Sequence, residues 1–384
     1  MGHSIAVMNT KGGVGKSTVV MALAETLSAF HRKTVLVIDS DSQTSVSAML
    51  MATERWEEME RQGRTLVDYL VGAVLPEHGP TKASWHEYIA NGVSDVEEAR
   101  SVHLLPCHME LTLFERKVSA DRRERELRAA ARALLSEAKR LYDVVLVDCP
   151  PGLSVLTETW LREVDYLMPP IKPDYLAVRG FAVLKRFRQT QAEQGFADLI
   201  GLVINLKDGR IASEDVWHRR LAEDPENRVF QTCIPRRAYI QRAADFDAEM
   251  RTYMAKYPGD AGQSMRALAQ EVLDRLTGVP LLRPQTQPSV AADRASDGSA
   301  ERAPLRPVPA PASGPPARAP STAGAPRRSV PVPPPRPPQA AAPGGQPPMP
   351  ERRPATFRPA EGERPIEAGS SGVAAFPRPA PKQG

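Results

Sequence analysis

Long apolar runs and paired cysteines are what this chain of 384 residues lacks. No apolar stretch approaches the ~18 uninterrupted residues that a membrane-spanning helix needs, and no charged-then-apolar leader opens the chain. Met1-Gly2 begins a myristoylation pattern, but Ala6 stands where that pattern needs Ser or Thr. The three cysteines, Cys107, Cys149 and Cys233, are odd in number and have no metal-ligand spacing, which makes them buried free thiols in expectation.

Large apolar residues are scarce in one part only. Of the 38 prolines, 27 lie in residues 280–384, a stretch with neither Tyr nor Trp. Such a composition buries too little surface to offset chain entropy, so it reads as a disordered or partly polyproline II tail without tandem repeats. Its run Pro331-Val332-Pro333-Pro334-Pro335-Arg336-Pro337-Pro338 suits a proline-reading domain, although such runs more often serve as spacers. Recurrent proline also excludes an amphipathic membrane helix there. The tail holds 14 Arg/Lys against 7 Asp/Glu, whereas residues 1–279 hold 36 against 39, so the net charge of +4 belongs to the tail. The expected organisation is one folded domain, 1–279, followed by the Pro/Arg/Ala-rich tail, 280–384.

The folded part opens with the most informative segment, Met8-Asn9-Thr10-Lys11-Gly12-Gly13-Val14-Gly15-Lys16-Ser17-Thr18. An apolar strand from Ile5 precedes it, and Val20, Leu23, Ala24 and Leu27 follow at helical spacing. The glycines therefore sit at a strand-to-helix turn, where backbone N–H groups can curl around phosphate oxygens and the helix adds its positive end. Lys16 would reach the β and γ phosphates of ATP and the Ser17 hydroxyl would sit on Mg²⁺. The strict phosphate-loop pattern is broken, because Thr10 stands at its first glycine, and Lys11 brings a second cation. Two lysines in one turn repel unless an anion offsets them.

With these residues the segment resembles the deviant phosphate loop of the ParA/MinD family of ATPases, closest to the ParA-like partition ATPases. Further blocks resemble the family in the same order. Val35-Leu36-Val37-Ile38-Asp39-Ser40-Asp41-Ser42-Gln43 is similar to its second acidic block, with Ser42 where the family usually has proline. Val144-Val145-Leu146-Val147-Asp148-Cys149-Pro150-Pro151-Gly152 resembles its Walker B strand and switch, and residues 168–175 its next strand end. Gly201 to Asn205 and Ile234-Pro235-Arg236 fall where the family contacts the base. The resemblance spans about residues 1–277.

That resemblance implies a P-loop α/β fold, a doubly wound, mostly parallel sheet with helices on both faces. It implies a Mg²⁺-dependent ATP hydrolase that is weak unless stimulated. Lys11 would cross a nucleotide-sandwiched homodimer to the partner's phosphates, Lys16 would serve its own ATP, and Asp41 would position the attacking water. Ser17, Asp39 and Asp148 would hold Mg²⁺, which suits a hard cation. Gly12, Gly13, Val14, Gly15, Thr18, Asn205 and Pro235 would complete the nucleotide site. Non-specific DNA and a ParB-like or cargo-bound activator are the implied partners, in a cytoplasmic, nucleoid-associated setting without direct membrane insertion. With a domain charge near −3, DNA contact needs a local patch, for which Arg210 is the first candidate and Arg236, Arg237 and Arg242 stand in for the family's second arginine, since Tyr239 takes its place. The expected role is DNA segregation or cargo positioning. The alternative is a MinD-like division-site or other membrane- or partner-directed regulator. An iron–sulfur ATPase or amidating ligase on this fold would need cluster cysteines or an added catalytic domain, and a related tyrosine kinase a C-terminal tyrosine cluster beyond Tyr257.

Elsewhere helical spacing is read over 65–70, 121–140, 174–194, 213–222 and 261–276, and a strand at Val102–Leu105. Apart from that first helix, residues 51–100 are less regular and are left unassigned. Alternating strands and helices argue for a sheet covered on both faces.

Overall fold

Continuous apolar runs mark strands buried on both faces, and Val35–Asp39 and Val144–Asp148 are buried along their whole length. The computed structural model describes residues 1–75, 84–190 and 195–278, so the predicted tail and its proline run lie outside the described residues. The strands are β1 (His3–Val7), β2 (Val35–Asp39), β3 (Val102–Leu105), β4 (Val144–Asp148), β5 (Tyr166–Met168), β6 (Pro170–Ile171), β7 (Asp198–Leu199), β8 (Val203–Lys207) and β9 (Cys233–Pro235). They form one sheet in the order β3-β2-β4-β1-β5-β7 and a smaller one in the order β6-β8-β9, with parallel pairing throughout. Pro169 separates β5 from β6, consistent with a residue that has no N–H to give to a ladder.

The helices are α1 (Lys16–His31), α2 (Ser45–Leu50), α3 (Thr53–Arg61), α4 (Leu66–Val74), α5 (Leu111–Ala120), α6 (Glu124–Leu141), α7 (Val155–Glu163), α8 (Tyr175–Thr190), α9 (Ala212–Glu223), α10 (Ala238–Arg242), α11 (Tyr253–Lys256) and α12 (Asp260–Leu276). Strand residues alternate between two cores. Ala6, Leu36, Ile38, Val145 and Val147 join Leu127, Leu134 and Trp160 on one face. Ile5, Val7, Val35, Val37, Val144 and Leu146 join Leu23, Leu27, Leu268 and Val272 on the other. The expected doubly wound sheet is thus the observed one. None of the described helices is long and apolar enough to cross a membrane.

Two expectations need correction. The single helix read over 121–140 begins at Glu124, after α5 and a break in which Arg122 has φ of 55°, a left-handed value that a helix interior does not carry. Cys107 and Cys149 are buried as expected, but Cys233 is half-buried, because it lies on β9 at the open edge of the smaller sheet. The helix read to 194 is observed to Thr190, and residues 191–194 lie outside the described residues.

The less regular stretch after Leu50 holds α3 and α4 and is tied down by specific contacts. A capping box of Thr65 and Asp68 starts α4, and bridges tie Ala90 to Leu104 and Val96 to Arg251. Beneath them lies an ionic cluster whose centre, Lys256 with Glu25, Asp95 and Tyr257, is buried. Lys256 Nζ reaches Glu25 Oε1 at 2.7 Å and Asp95 Oδ1 at 2.6 Å; Arg251 pairs with Asp95 at 2.7 Å, and the Tyr257 hydroxyl donates to Glu25 at 2.5 Å. The cluster joins α1, which carries the phosphate loop, to the 94–96 turn and α11. Removing one partner of such a set strands the others. Lys256→Met is expected to destabilise the protein by about 3–5 kcal/mol, read as a lower urea midpoint at an unchanged m value.

Candidate nucleotide site

The chain leaves β1 at the middle of the sheet, between β4 and β5, and this switch in strand order opens a crevice at the carboxyl ends of the strands. The phosphate loop fills it. Gly13 and Gly15 have φ of 71° and 81°, left-handed values that glycine adopts without strain. A Cβ on Gly15 would lie 2.4 Å from Asn205 Nδ2, so a larger residue would also displace the Asn205 amide from the loop. Gly15 caps α1 without any side-chain hydrogen bond, and the first turn holds no acid, which leaves its N–H groups for an anion. Asn9 braces the loop's start: its amide donates to the Pro170 carbonyl at 2.8 Å and its oxygen accepts the Lys11 N–H at 3.0 Å. Thr10, at the position of the missing glycine, packs against Gly180 of α8, where a Cβ would come within 2.7 Å of its hydroxyl.

Three of the sequence-predicted carboxylates meet at this crevice, in different states. Asp39 and Asp148 are register partners on β2 and β4, both fully buried. Asp39 is well supplied with donors: Oδ1 accepts the Asp41 N–H at 3.1 Å, and Oδ2 accepts the Ser47 N–H at 3.0 Å and hydroxyl at 2.6 Å. Burial nevertheless raises its pKa to about 6, against the pull of these bonds. Among the described residues, neither oxygen of Asp148 meets the geometry of a hydrogen bond. Its pKa is pushed well above the usual carboxylate range, first by burial and then by the nearby Asp39, with the Ser17 hydroxyl and Lys16 opposing. Asp41 is nearly buried and accepts the Gln43 N–H at 3.0 Å. A buried carboxylate without donors is costly unless a cation completes it, and Mg²⁺ is held by one or two carboxylates plus substrate phosphates and water. The residues present therefore fit that group, with Asp148 the open ligand and Asp39 the shaper of the 39–47 loop.

Lys16 is buried at the start of α1, beside this pair. Lys11 points elsewhere. Its Nζ contacts both carboxylate oxygens of Asp174 at 2.9 and 3.0 Å, and Asp174 Oδ1 also accepts the Ala177 N–H in the first turn of α8. Asp174 was not singled out from the sequence; its signal is an acid just before a helix. Asn205 donates to the Val14 carbonyl at 2.8 Å and thus braces the loop, while Pro235 ends β9 and the next N–H, that of Arg236, donates to the Lys207 carbonyl. A separate cavity of about 500 Å³, lined by His3, Lys139 and Asp143, lies at the opposite ends of β1 and β4 and takes no part in this site.

The four candidate DNA contacts are not alike. Arg210 is 90% exposed but forks onto Asp208 at 2.8 and 3.0 Å, and Arg237 pairs with Asp260 at 2.5 Å. Arg236 and Arg242 are exposed and make no ion pair among the described residues.

A parallel sheet with a glycine loop, a helix N-terminus, a buried lysine and an open carboxylate at one strand edge defines a nucleotide-binding protein of the phosphate-loop class. The chain belongs to the family whose model is described as an AAA domain, which matches residues 2–197, and the kinship with ParA-type ATPases read from its motifs holds. The chromosome-partitioning ATPase Soj of Treponema pallidum is 27% identical over 277 residues, covering 72% of this chain and 98% of the relative. The chromosome partitioning protein ParA of Myxococcus xanthus is 27% identical over 283 residues, covering 72% and 90%. Among solved structures, the apo McdA of Cyanothece has a TM-score of 0.56 at 17% identity over 71% of this chain and all of that one. The pNOB8 ParA bound to nonspecific DNA has a TM-score of 0.52 at 17% identity over 73% and 100%. These two show the fold.

Because the folded-state pKa of Asp148 lies above its unfolded value, the buried carboxyl is tolerated while protonated and destabilises once ionised, so its cost grows as pH rises. Without ligand, Asp148→Asn should melt about 2–4 °C above the wild type at pH 8, the shift that ~1 kcal/mol gives in a domain of this size. The gap should shrink at pH 5, and thermal melts at both pH values test it.

Proposed function

We propose that this chain is an ATP-switched, dimerising ATPase that retains itself on DNA without sequence preference and positions a chromosome, plasmid or other cargo. The observation that carries this reading is the pair of unequal lysines. Lys16 is enclosed with the open carboxylate of Asp148, whereas Lys11 stands outside on Asp174 with about a third of its side chain exposed. A pair that exposed is worth at most about 1 kcal/mol, so Lys11 is releasable toward the phosphates of a second subunit. The names of the partition relatives support the cellular role, and the nonspecific DNA in the pNOB8 ParA structure supports the DNA partner.

In this reading the loop N–H groups and Lys16 would bind the phosphates, Asp148 with Ser17 would hold Mg²⁺ while Asp39 shapes the loop beside it, and Asp41 would orient the attacking water. When bound, Mg²⁺ neutralises charge that develops on the phosphates. Little covalent chemistry falls to the protein, so the rate depends on positioning, and an activator on the cargo would raise it. Arg210, Arg236, Arg237 and Arg242 supply the DNA surface, and the protein works in the cytoplasm on the nucleoid. Residues 1–279 are the domain that does this, and 280–384 are an added basic segment.

The direct test is co-sedimentation with nonspecific duplex DNA in no nucleotide, ADP and ATP. Retention is expected with ATP alone and should weaken with salt. Lys16→Ala should lose nucleotide binding; Lys11→Ala should bind ATP but neither dimerise nor hold DNA; Asp41→Ala should stay an ATP-bound dimer on DNA. Retention that ignores nucleotide, or normal hydrolysis by any of the three, would refute the reading for that residue. Deleting 280–384 should leave a folded domain that still binds ATP, measured by melting with and without Mg²⁺–ATP.

A further inference from the structure

Ser40 lies between the two aspartates of the second acidic block and is fully buried. Its N–H donates to the Asp148 carbonyl at 3.0 Å, and its hydroxyl oxygen accepts the indole N–H of Trp160 at 2.6 Å. Trp160 is also fully buried and has no other polar atom to satisfy. A buried indole N–H takes a partner where the fold offers one. Here the partner is the loop that carries Asp39 and Asp41.

The two sides of this bond are braced differently. Trp160 stands on α7, which is fastened at both ends. Glu115 Oε1 accepts the Ser154 hydroxyl at 2.5 Å and the Leu156 N–H at 3.1 Å, and Glu163 accepts Arg128 at 2.9 Å and Arg132 at 2.8 Å. The loop is a series of turns closed on Asp41, with the Gln43 N–H on its carboxylate and the Thr44 N–H on its carbonyl. Ser42 follows with no ring to fix its φ, where proline would.

We infer that Trp160 is a positioning residue for hydrolysis: its indole N–H clamps Ser40 and thereby fixes the Asp41 carboxylate where it can orient water. The inference rests on the role proposed for Asp41. The distance from Trp160 to the chemistry is one hydrogen bond and one peptide, and a misplacement of 1 Å can cost about 10²-fold in rate. The clamp ties that loop to the helix just after the Cys149–Ser154 turn, so the two acidic strand ends are held as one unit.

Ser40→Ala, Trp160→Phe and the double variant, made in the full chain, test this by steady-state phosphate release and by ATP binding. Each single variant should lower kcat about tenfold, a partial misplacement on that scale, with KM and ATP affinity unchanged. The double variant should be no slower than the slower single, as for two halves of one interaction. Melting separates positioning from stability: Trp160→Phe should melt lower than Ser40→Ala, yet their kcat losses should match. Wild-type kcat in Ser40→Ala, multiplicative losses in the double variant, or kcat that follows melting temperature would overturn the inference. Asp41→Ala run in parallel distinguishes the failures. If it hydrolyses normally, the role of Asp41 falls and the clamp with it; if it is inactive while Ser40→Ala is normal, only the clamp falls.

Discussion

A buried carboxylate that no well-aligned hydrogen bond satisfies governs this structure. Asp148 is lodged at the end of β4, next to Asp39 in register, and against its burial the protein sets only the nearby Ser17 hydroxyl and the field of Lys16. Two acids side by side in a low dielectric raise each other's pKa, and the fold accepts the cost because every strand around them is packed on both faces. Stability is thus spent where a divalent cation and phosphates would return it, the usual location of local frustration in a folded chain.

The remaining architecture divides the labour around that point. Asp39 has given its oxygens to Asp41 and Ser47, so it shapes the loop beside Asp148 rather than competing with it. Asn9 ties the start of the phosphate loop to β6, Asn205 grips the loop from β8, and Thr10 rests on Gly180. The departure from the strict glycine pattern is therefore matched by a small residue on the facing helix, not tolerated as a defect. Lys256, far from the loop in sequence, holds the back of α1 through Glu25.

What was legible in the chain was short-range. Apolar runs ending in Asp39 and Asp148, glycines before a helix, and the stripe of Leu127, Ala131, Leu134 and Leu135 each announce themselves within a few residues, because strand and helix periods are local. Contacts made across the chain left no such mark. Lys11 and Asp174 are 163 positions apart, Ser40 and Trp160 are 120 apart, and the cluster around Lys256 draws on three distant segments. The break at Arg122 was hidden for another reason: charged residues continue a helical pattern equally well on either side of a left-handed kink.

The proposed DNA surface follows the same logic of exchangeable partners. Arg210 and Arg237 already hold Asp208 and Asp260, so a phosphate must replace a carboxylate and the gain per contact is small. The domain's charge near −3 adds no long-range attraction. A single subunit on this reading binds DNA weakly. Joining two subunits doubles the contacts on one duplex and makes the second set intramolecular, which multiplies retention without any new residue. Nucleotide control of DNA binding then needs no separate switch in the arginines, since a site this weak in one copy is switched by whatever pairs the copies, and Lys11 leaving Asp174 for a partner's phosphates would be that event.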